Sequence, residues 1–324
     1  MYPLDDLIVN FAPTGMVPTR EMTPHVPLHC NEIIDEVLHA VELGITVAHL
    51  HARDKTTGEP TQDPEVYATI IDGIRRDAPD LVLCVSLSGR RQAAFALRSA
   101  PLELDGILKP DMASLTLSSL NFPSQASVNE PEMIQTLAIK MNARGIKPEL
   151  EAFDLGMLNY AHYLIKKTIL HPPYYINLLF GNIAGAQANL AQAGMMLMHL
   201  PEHCYAAFAG LGTCQLAMNS IAIANGQAVR VGLEDNIWFD SAKSRLATNT
   251  DLLQRVLTIA AYHDRKIMKP SSFRRRLNLK PGAQGGYGCK VESATTEAPE
   301  QQLPDTKLPP EPTRSHPTIS NRPH

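Results

Sequence analysis

The feature that most constrains the fold is an eightfold alternation of short apolar runs with longer segments of helical period. The short runs predict strands at 7–11, 46–51, 81–86, 112–117, 147–153, 175–179, 203–208 and 227–231. The longer segments predict helices at 31–43, 64–78, 91–99, 130–144, 156–167, 184–198, 213–225 and 250–265. Eight β/α units in series predict an α/β fold, the closed (β/α)8 TIM barrel, which typically takes about 250 residues.

An open, doubly wound sheet is the alternative arrangement of such units. It would normally carry a glycine-rich phosphate turn of the form G-x-G-x-x-G after its first strand. The first predicted strand is followed instead by A-P-T-G-M at residues 12–16. This departure favours the closed barrel.

The composition changes after Leu279. Residues 280–324 are dense in Pro, Glu, Thr and Gln and show no apolar periodicity. Such a segment cannot bury enough apolar surface to offset its ordering entropy. We therefore predict a barrel domain over residues 1–279 and a disordered tail over 280–324. Arg274–Arg276, just before this boundary, are predicted to form the solvated face of a last short helix.

The charge and cysteine content restrict the classes of function. The 324 residues have a net charge of −4, so nucleic acid and anionic membrane surfaces are not expected partners. The first residues do not form a basic segment followed by a long apolar one, which is the pattern of a signal peptide. No run approaches the roughly 18 apolar residues of a membrane span, so we expect a cytoplasmic protein. The five cysteines are irregularly spaced and are expected to be reduced and mostly buried.

The second predicted strand carries the clearest chemical pattern. It reads T-V-A-H-L-H-A-R-D over residues 46–54. Side chains alternate along a strand, so His49 and His51 lie on the same face. At the carboxyl end of a barrel strand such a pair can bind a divalent metal. The alternative is two histidines whose hydrogen bonds are satisfied inside a polar core.

Polar residues also occur at the ends of the other predicted strands. They are Ser86 and Ser88 on the third, Ser114 and Thr116 on the fourth, Glu149 and Glu151 on the fifth, and Arg230, Glu234 and Asp235 on the eighth. Glu234 is our candidate for a third metal ligand, although a simple ion pair with Arg230 is an alternative. Two histidines and one carboxylate, with other positions open, indicate a catalytic metal site.

Several motifs together resemble the β-keto acid cleavage enzymes, the family of 3-keto-5-aminohexanoate cleavage enzyme. They are H-L-H-A-R-D, T-Q-D-P-E-V-Y-A-T-I-I-D-G-I-R, P-D-M-A-S-L, G-I-K-P-E-L-E-A-F-D-L-G-M and V-R-V-G-L-E-D-N. The resemblance runs in order from about Leu7 to Leu279. It implies a zinc-dependent (β/α)8 barrel that forms tetramers. It also implies conversion of a β-keto acid and acetyl-CoA into acetoacetate and a shortened acyl-CoA.

The same resemblance implies roles for individual residues. His49, His51 and Glu234 correspond to the zinc ligands, Asp235 to the general base and Arg230 to the residue that orients it. It also implies that the hydroxyls of Ser86 and Thr116 contact the substrate, and Ser88 and Ser114 are close enough to exchange roles with them. One of the two glutamates, Glu149 or Glu151, is implied to contact the substrate as well.

The sequence leaves the identity of the β-keto acid open. A carboxylate on the fifth strand suggests a cationic group on the substrate. Either Glu149 or Glu151 could be that carboxylate, and the position of Glu151 nearer the strand's end favours it. The loop before the first helix and the A-P-T-G-M loop depart from the family pattern, which affects the substrate more than the chemistry. No phosphate-cradling loop identifies the CoA site.

Three other functions share parts of this residue pattern. A lyase of the hydroxymethylglutaryl-CoA lyase type also uses a His-x-His pair, but late in its barrel. A hydrolase of the amidohydrolase type carries the pair on its first strand and needs further histidines on strands five and six. A barrel that binds a metal or metabolite without turnover would have no need of Asp235, a base paired with arginine.

Overall fold

Eight parallel strands form a closed ring in the computed structural model, which describes residues 5–90 and 94–287. The barrel strands are β1 Val9–Phe11, β2 Val47–Leu50, β3 Val82–Val85, β4 Met112–Thr116, β7 Lys147–Ala152, β8 Tyr174–Phe180, β9 Cys204–Gly210 and β10 Ala228–Val231. Around the ring they follow one another in this order, and β10 pairs again with β1. The predicted TIM barrel is therefore confirmed.

Two short strands that the sequence pattern did not predict form an antiparallel hairpin outside the ring. They are β5 Leu120–Asn121 and β6 Ala126–Ser127. The hairpin follows β4 directly, at the carboxyl end of the barrel. It adds a wall to the mouth in which a barrel enzyme builds its active site.

Nine α-helices lie among the described residues, and the long ones follow the predicted segments. They are α1 Cys30–Leu43, α2 Pro64–Asp77, α3 Phe95–Arg98, α4 Pro131–Arg144, α5 Leu155–Lys166, α6 Leu190–Met198, α7 Gln215–Ala224, α8 Asn249–Tyr262 and α9 Pro270–Arg276. The sixth predicted helix starts late because Gly181 has a positive φ and the Asn189 side chain caps the first turn. The third is a single turn, and residues 91–93 lie outside the described residues.

The barrel interior has an apolar half and a polar half. Near the amino ends of the strands, Ile8, Val47, Val82 and Met112 pack together inside the ring. The ring of Phe273 on α9 packs edge-on against Tyr175 there, with centroids 5.4 Å apart. Two residues further along most of the strands the inward side chains become polar, as at Asn10, His49, Ser114, Asn177 and Arg230. The apolar half therefore closes the bottom of the barrel and leaves the chemistry at the top.

The prediction that all of Arg274–Arg276 are solvated is wrong for one residue. Arg274 is 1% exposed and donates from Nη1 and Nη2 to Asp111, over 2.8 and 2.7 Å. Arg275 and Arg276 are exposed, as predicted. A short run of arginines in the sequence does not indicate that one of them faces a buried carboxylate, here Asp111, the residue before β4. The Arg274–Asp111 pair fixes α9 against the bottom of the barrel.

Residues immediately after Leu279 also pack on the barrel. Leu279 forms an antiparallel bridge with Tyr287, and the Tyr287 hydroxyl donates to Asn142 on α4 over 2.9 Å. The rest of the predicted tail, residues 288–324, lies outside the described residues. Cys289 falls there, and the other four cysteines are free thiols. Within residues 5–90 and 94–287, no helix has the length and apolar character needed to cross a membrane.

Candidate active site

A cavity of about 210 Å³ opens at the carboxyl ends of the barrel strands. Most of the residues predicted to form the site contribute to its wall. These are His51, Ser86, Thr116, Glu151, Arg230, Glu234 and Asp235, together with Ser88. The other three predicted residues do not line it, because His49, Ser114 and Glu149 are buried one layer deeper in the barrel.

The two histidines of β2 and its following loop converge as the strand alternation predicts. Their Nε2 atoms are 3.3 Å apart. Glu234, from the loop after β10, places Oε1 3.1 Å from Nε2 of His51 and 3.9 Å from Nε2 of His49. The three potential ligand atoms therefore lie close enough together to share one ion.

Glu149 is bound to the opposite side of the His49 ring. Its Oε2 lies 2.5 Å from Nδ1 of His49. A carboxylate can only accept, so Nδ1 carries the proton and Nε2 presents its lone pair to His51 and Glu234. A carboxylate behind a histidine in this way fixes the ring orientation and increases its basicity as a ligand. Glu149 is therefore committed to His49 and is not available to a substrate.

Two further side chains hold Glu149 in place. Asn10 of β1 donates to Oε1 over 2.6 Å, and the Cys84 thiol of β3 donates to Oε2 over 3.1 Å. Burial raises the pKa of Glu149, but the neighbouring His49 outweighs it and the pKa falls to about 2. Burial also raises the pKa of the Cys84 thiol well above its usual range, so this thiol remains a hydrogen-bond donor. Glu149 is thus a buried anion with all its partners inside the barrel.

Arg230 of β10 connects the acidic groups of the site. Its Nε and Nη2 donate to the two oxygens of Asp235 over 2.9 and 3.2 Å, and Nη2 also donates to Glu234 over 2.6 Å. Its Nη1 lies 3.5 Å from Oε1 of Glu151. The guanidinium therefore neutralises and orients three carboxylates that would otherwise repel one another.

The pKa values of neighbouring Glu234 and Asp235 are shifted in opposite directions. Burial acts to raise the pKa of Glu234, but Arg230 and His51 lower it well below the usual range. Burial raises the pKa of Asp235 above its ordinary value, even though Arg230 acts against it. A carboxylate that stays ionised suits a ligand, and one with a raised pKa is a better proton acceptor.

The residues predicted to contact the substrate divide into two groups. Thr116 and Glu151 line the cavity, and the Thr116 hydroxyl donates to Oε2 of Glu151 over 2.7 Å. Ser86 and Ser88 also line it. Ser114 lies outside the wall, and its hydroxyl accepts the backbone N–H of Leu87 over 3.0 Å. Ser114 therefore positions the loop after β3 and is not placed to touch a substrate.

The loop after β1 passes directly beside Glu234. Gly15 has a φ of +68°, and a Cβ at this position would lie 2.5 Å from Cγ of Glu234. Arg53 donates to the Gly15 carbonyl from Nε and Nη2 over 3.1 and 2.7 Å. The A-P-T-G-M loop thus supports the third candidate ligand, Glu234, although its sequence carries no phosphate-binding motif.

The donor set fits a divalent metal by an independent criterion. Oε2 of Glu234 is buried and has no hydrogen-bond partner. Two imidazole Nε2 atoms that face each other at 3.3 Å also need a proton or a cation between them. Two neutral nitrogens and one carboxylate form a typical catalytic zinc site. These residues therefore fit a metal, and zinc is consistent with the ligand types.

Sequence reasoning overlooked two residues of the site. Asn10 is a polar residue in the middle of a buried strand, and this contrast could have identified it. Arg90 lines the cavity and follows the S-L-S-G motif, in which only the serines attracted attention. It lies in a loop, where no periodicity predicts which way a side chain faces.

The fold and the convergent residues define a (β/α)8-barrel enzyme with a two-histidine, one-carboxylate centre and an arginine-bound acidic residue beside it. The profile of the beta-keto acid cleavage enzymes matches residues 6–279, so the chain belongs to this family. The family assignment predicted from the sequence motifs is confirmed, and the protein is an enzyme that cleaves carbon–carbon bonds. The lyase, amidohydrolase and non-catalytic alternatives are set aside.

Individual relatives match over nearly their whole length. The 3-keto-5-aminohexanoate cleavage enzyme of Fusobacterium nucleatum is 34% identical over 281 residues, covering 86% of this chain and 99% of the relative. The 3-oxoadipate:acetyl-CoA acetyltransferase of Cupriavidus necator is 33% identical over 280 residues, covering 84% and 94%. Their names describe a substrate with an amino group in one case and a second carboxylate in the other.

A solved structure shares the fold. The apo structure of ObcA superposes with a TM-score of 0.63 at 17% sequence identity. The match covers 79% of this chain and 66% of that one, so this chain spans about two thirds of its length. At this level of identity the likeness supports the barrel alone.

Proposed function

We propose that this protein is a zinc-dependent enzyme that condenses a β-keto acid with acetyl-CoA and releases acetoacetate and a new acyl-CoA. The observation that carries the proposal is the convergence of His49, His51 and Glu234 beside Asp235, with a buried Glu234 oxygen left without a partner. The family match supports the cleavage of a β-keto acid. The name of the Cupriavidus necator relative supports acetyl-CoA as the co-substrate.

His49, His51 and Glu234 would hold the ion. When bound, zinc would act as a Lewis acid that stabilises negative charge on the keto and carboxylate oxygens of the substrate. Glu149 would keep the Nε2 lone pair of His49 available to the ion, and Gly15 leaves room for the Glu234 side chain. The protein would thus supply three ligands and leave further positions for the β-keto acid.

Asp235 would remove the proton from the carbon between the keto group and the carboxylate. The C–H bond breaks, an O–H bond forms on the Asp235 carboxyl, and the electron pair remains on the substrate as an enolate. Arg230 holds both oxygens of Asp235, so the base cannot rotate away from the cavity. The raised pKa of Asp235 brings its basicity closer to what carbon deprotonation needs.

The remaining steps balance without a protein nucleophile. The enolate carbon attacks the acetyl carbonyl and CoA leaves as its thiolate. The thiolate then adds to the original keto carbon, and a retro-Claisen cleavage releases the new acyl-CoA and the carbanion of acetoacetate. This carbanion recovers the proton from Asp235. The hydroxyls of Ser86 and Thr116 and the carboxylate of Glu151 line the cavity in which these intermediates would lie.

A homo-oligomer forms part of the proposal. Several large apolar side chains near α6 are exposed, namely Ile183 at 65%, Leu190 at 69% and Met198 at 81%. Exposed apolar side chains of this size would be covered if this face were an interface between subunits. The family resemblance supports a tetramer, and light scattering on the purified protein would measure the mass. The cytoplasmic location stays a prediction.

The test is an activity assay with purified protein, zinc, acetyl-CoA and a panel of β-keto acids, with acetoacetate as the measured product. We expect acetoacetate in equal amount to the new acyl-CoA. Omission of acetyl-CoA should abolish the product, and removal of zinc with a chelator should do the same reversibly. Failure of every acid to give acetoacetate would refute the proposed reaction.

A further inference from the structure

Arg90 is a cation in the cavity wall whose role the proposed chemistry does not account for. It lies in the loop after β3, and its guanidinium carbon is 3.7 Å from the centroid of the Phe122 ring. Among the described residues no carboxylate lies within ion-pair distance of it, and its Nε is buried without a hydrogen-bond partner. The other arginine of the cavity, Arg230, is by contrast bound to three carboxylates.

The Arg90 guanidinium lies over the Phe122 ring, and a second aromatic ring supports Phe122. Phe122 belongs to the tip of the hairpin β5–β6, where its N–H donates to the Gln125 carbonyl over 2.9 Å. Its ring packs edge-on against Phe153, just after β7, with centroids 5.7 Å apart. A guanidinium stacked on an aromatic face keeps its N–H groups in the ring-parallel plane, where they can bind a carboxylate through two hydrogen bonds.

The surroundings of Arg90 call for an anion. The adjoining wall is apolar and includes Val17, Leu120, Leu179 and Leu211. A cation that is partly withdrawn from water beside such a wall is costly unless an anion pairs with it. Glu151 cannot meet this demand, because its oxygens already bind Thr116 and face Arg230. Glu151, one of the two carboxylates considered for selecting a cationic substrate, is therefore occupied, whereas Arg90 has no carboxylate partner among the described residues.

Two ligands could bring such an anion. One is CoA through its phosphates, and the other is the β-keto acid through a second carboxylate. The phosphates of CoA are separated from the reacting thioester by the length of the pantetheine arm, so they lie far from the reacting groups. Arg90, however, lines the same cavity of about 210 Å³ as Glu151, Glu234 and Asp235, so it lies close to the reacting end. A carboxylate at the far end of a short β-keto acid would lie within its reach. We propose that Arg90 selects β-keto acids that carry a second carboxylate, so that the substrate class is the β-keto dicarboxylates.

This proposal rests on the proposed reaction, and its test compares three acids of equal chain length. They are 3-oxoadipate with a distal carboxylate, 3-oxohexanoate with a methyl group and 3-keto-5-aminohexanoate with an ammonium group. We expect the wild-type kcat/KM to favour 3-oxoadipate over 3-oxohexanoate by roughly a hundredfold. Arg90→Met should abolish this ratio, Arg90→Lys should restore part of it, and Arg90→Glu should shift the preference to the ammonium acid.

A matched control is Arg245→Met. Arg245 also stacks on a phenylalanine, with its guanidinium carbon 3.8 Å from the Phe239 ring centroid, but it lies outside the cavity wall. This variant should leave the ratio between the acids unchanged. Thermal melting of each variant would show that it is folded.

Three results would overturn the proposal. The first is a wild type that turns over the uncharged or ammonium acid more efficiently than 3-oxoadipate. Arg90→Met could raise KM for acetyl-CoA by the same factor with all three acids, which would assign Arg90 to a CoA phosphate. It could instead raise KM for every acid equally, which would assign it to the carboxylate that all three share.

Calorimetry separates this proposal from the proposed reaction. Binding of 3-oxoadipate to the zinc-loaded protein is measured without acetyl-CoA and therefore without turnover. We expect Arg90→Met to weaken it roughly a hundredfold. If no acid yielded acetoacetate but this loss were observed, the reaction would be wrong and the selection by Arg90 would stand. Equal affinity of wild type and Arg90→Met would refute the selection by itself.

Discussion

Nδ1 of His49 lies 2.5 Å from Oε2 of Glu149 in the closed interior of the barrel. This contact sets the tautomer of His49 before any ligand arrives, because the carboxylate requires a donor. The reactive face of the imidazole is therefore fixed by a residue that touches neither the cavity nor the substrate. Substitutions can separate the residues that would hold the ion from those that would move the proton.

We predict that His49→Ala and Asp235→Asn lose activity for different reasons. His49→Ala removes a proposed ligand, so zinc measured by mass spectrometry after desalting should fall to background. Asp235→Asn keeps the shape of the base and all three proposed ligands, so zinc should remain while kcat falls by roughly 10²–10⁴-fold. The exposed His39 provides a control, since His39→Ala should keep both. A fully active Asp235→Asn would show that the base is a different group.

The two glutamates of β7 should also respond differently to the same change. Glu149→Gln should weaken zinc binding by roughly 10–100-fold, because the support behind His49 loses its charge. Glu151→Gln should leave zinc affinity nearly unchanged and lower turnover, since Glu151 lines the cavity. Competition with a chromogenic chelator measures the affinity. The assignment fails if Glu151→Gln is the variant that loses zinc.

Gly15→Ala should disturb Glu234 from a distance in sequence. The new Cβ would lie 2.5 Å from Cγ of Glu234 and the backbone would keep a φ of +68°. We expect lower zinc affinity together with a loss of about 1 kcal/mol or more in the free energy of unfolding. Gly58→Ala is the matched control, because Gly58 has a φ of +71° but its Cβ would meet only Leu28, at 3.7 Å. Both variants should lose stability, and only Gly15→Ala should lose zinc.

The stability of the protein should rise with pH through Lys147. This lysine lies at the start of β7 and burial lowers its pKa from 10.5 to about 8. Between these two values the unfolded chain binds more protons than the folded protein, so unfolding becomes less favourable as the pH rises. Relative to Lys147→Met, the wild type should gain at most about 3 kcal/mol from pH 7 to pH 10.5. Urea unfolding at several pH values measures the difference, and a pH-independent difference would contradict the burial of a charged lysine.

The closed ring could be predicted from the sequence because eight apolar runs and eight amphipathic segments leave few other packings. The stripe of α1 is an example: Ile33, Val37 and Ala40 face the barrel, and the helix ends before Gly44. The hairpin β5–β6 was not predicted, since strands of two residues show no period. Arg274 was misjudged because its partner, Asp111, is more than 150 positions away in the sequence.

The candidate site also contains features that the sequence predicted and others that it did not. Strand alternation correctly placed His49 and His51 on one face, and it likewise grouped Glu149 with Glu151. Alternation fixes the face of a side chain but not its depth in the barrel. Glu149 lies at the level of His49, whereas Glu151 lies one layer higher, at the cavity. Ser114 and Thr116 differ in the same way. Depth depends on the register between neighbouring strands, which the sequence of one strand does not contain.

Phe122, which supports Arg90, lies in the hairpin β5–β6 outside the barrel ring. The proposed ligands and Arg230, by contrast, lie at or just after the carboxyl ends of the barrel strands. Substitution of Arg90 or Phe122 would therefore change which β-keto acid is accepted, while Arg230 and Asp235 kept their positions. Selectivity in this enzyme should thus be open to redesign, or to divergence among related chains, without renewed optimisation of the chemical step.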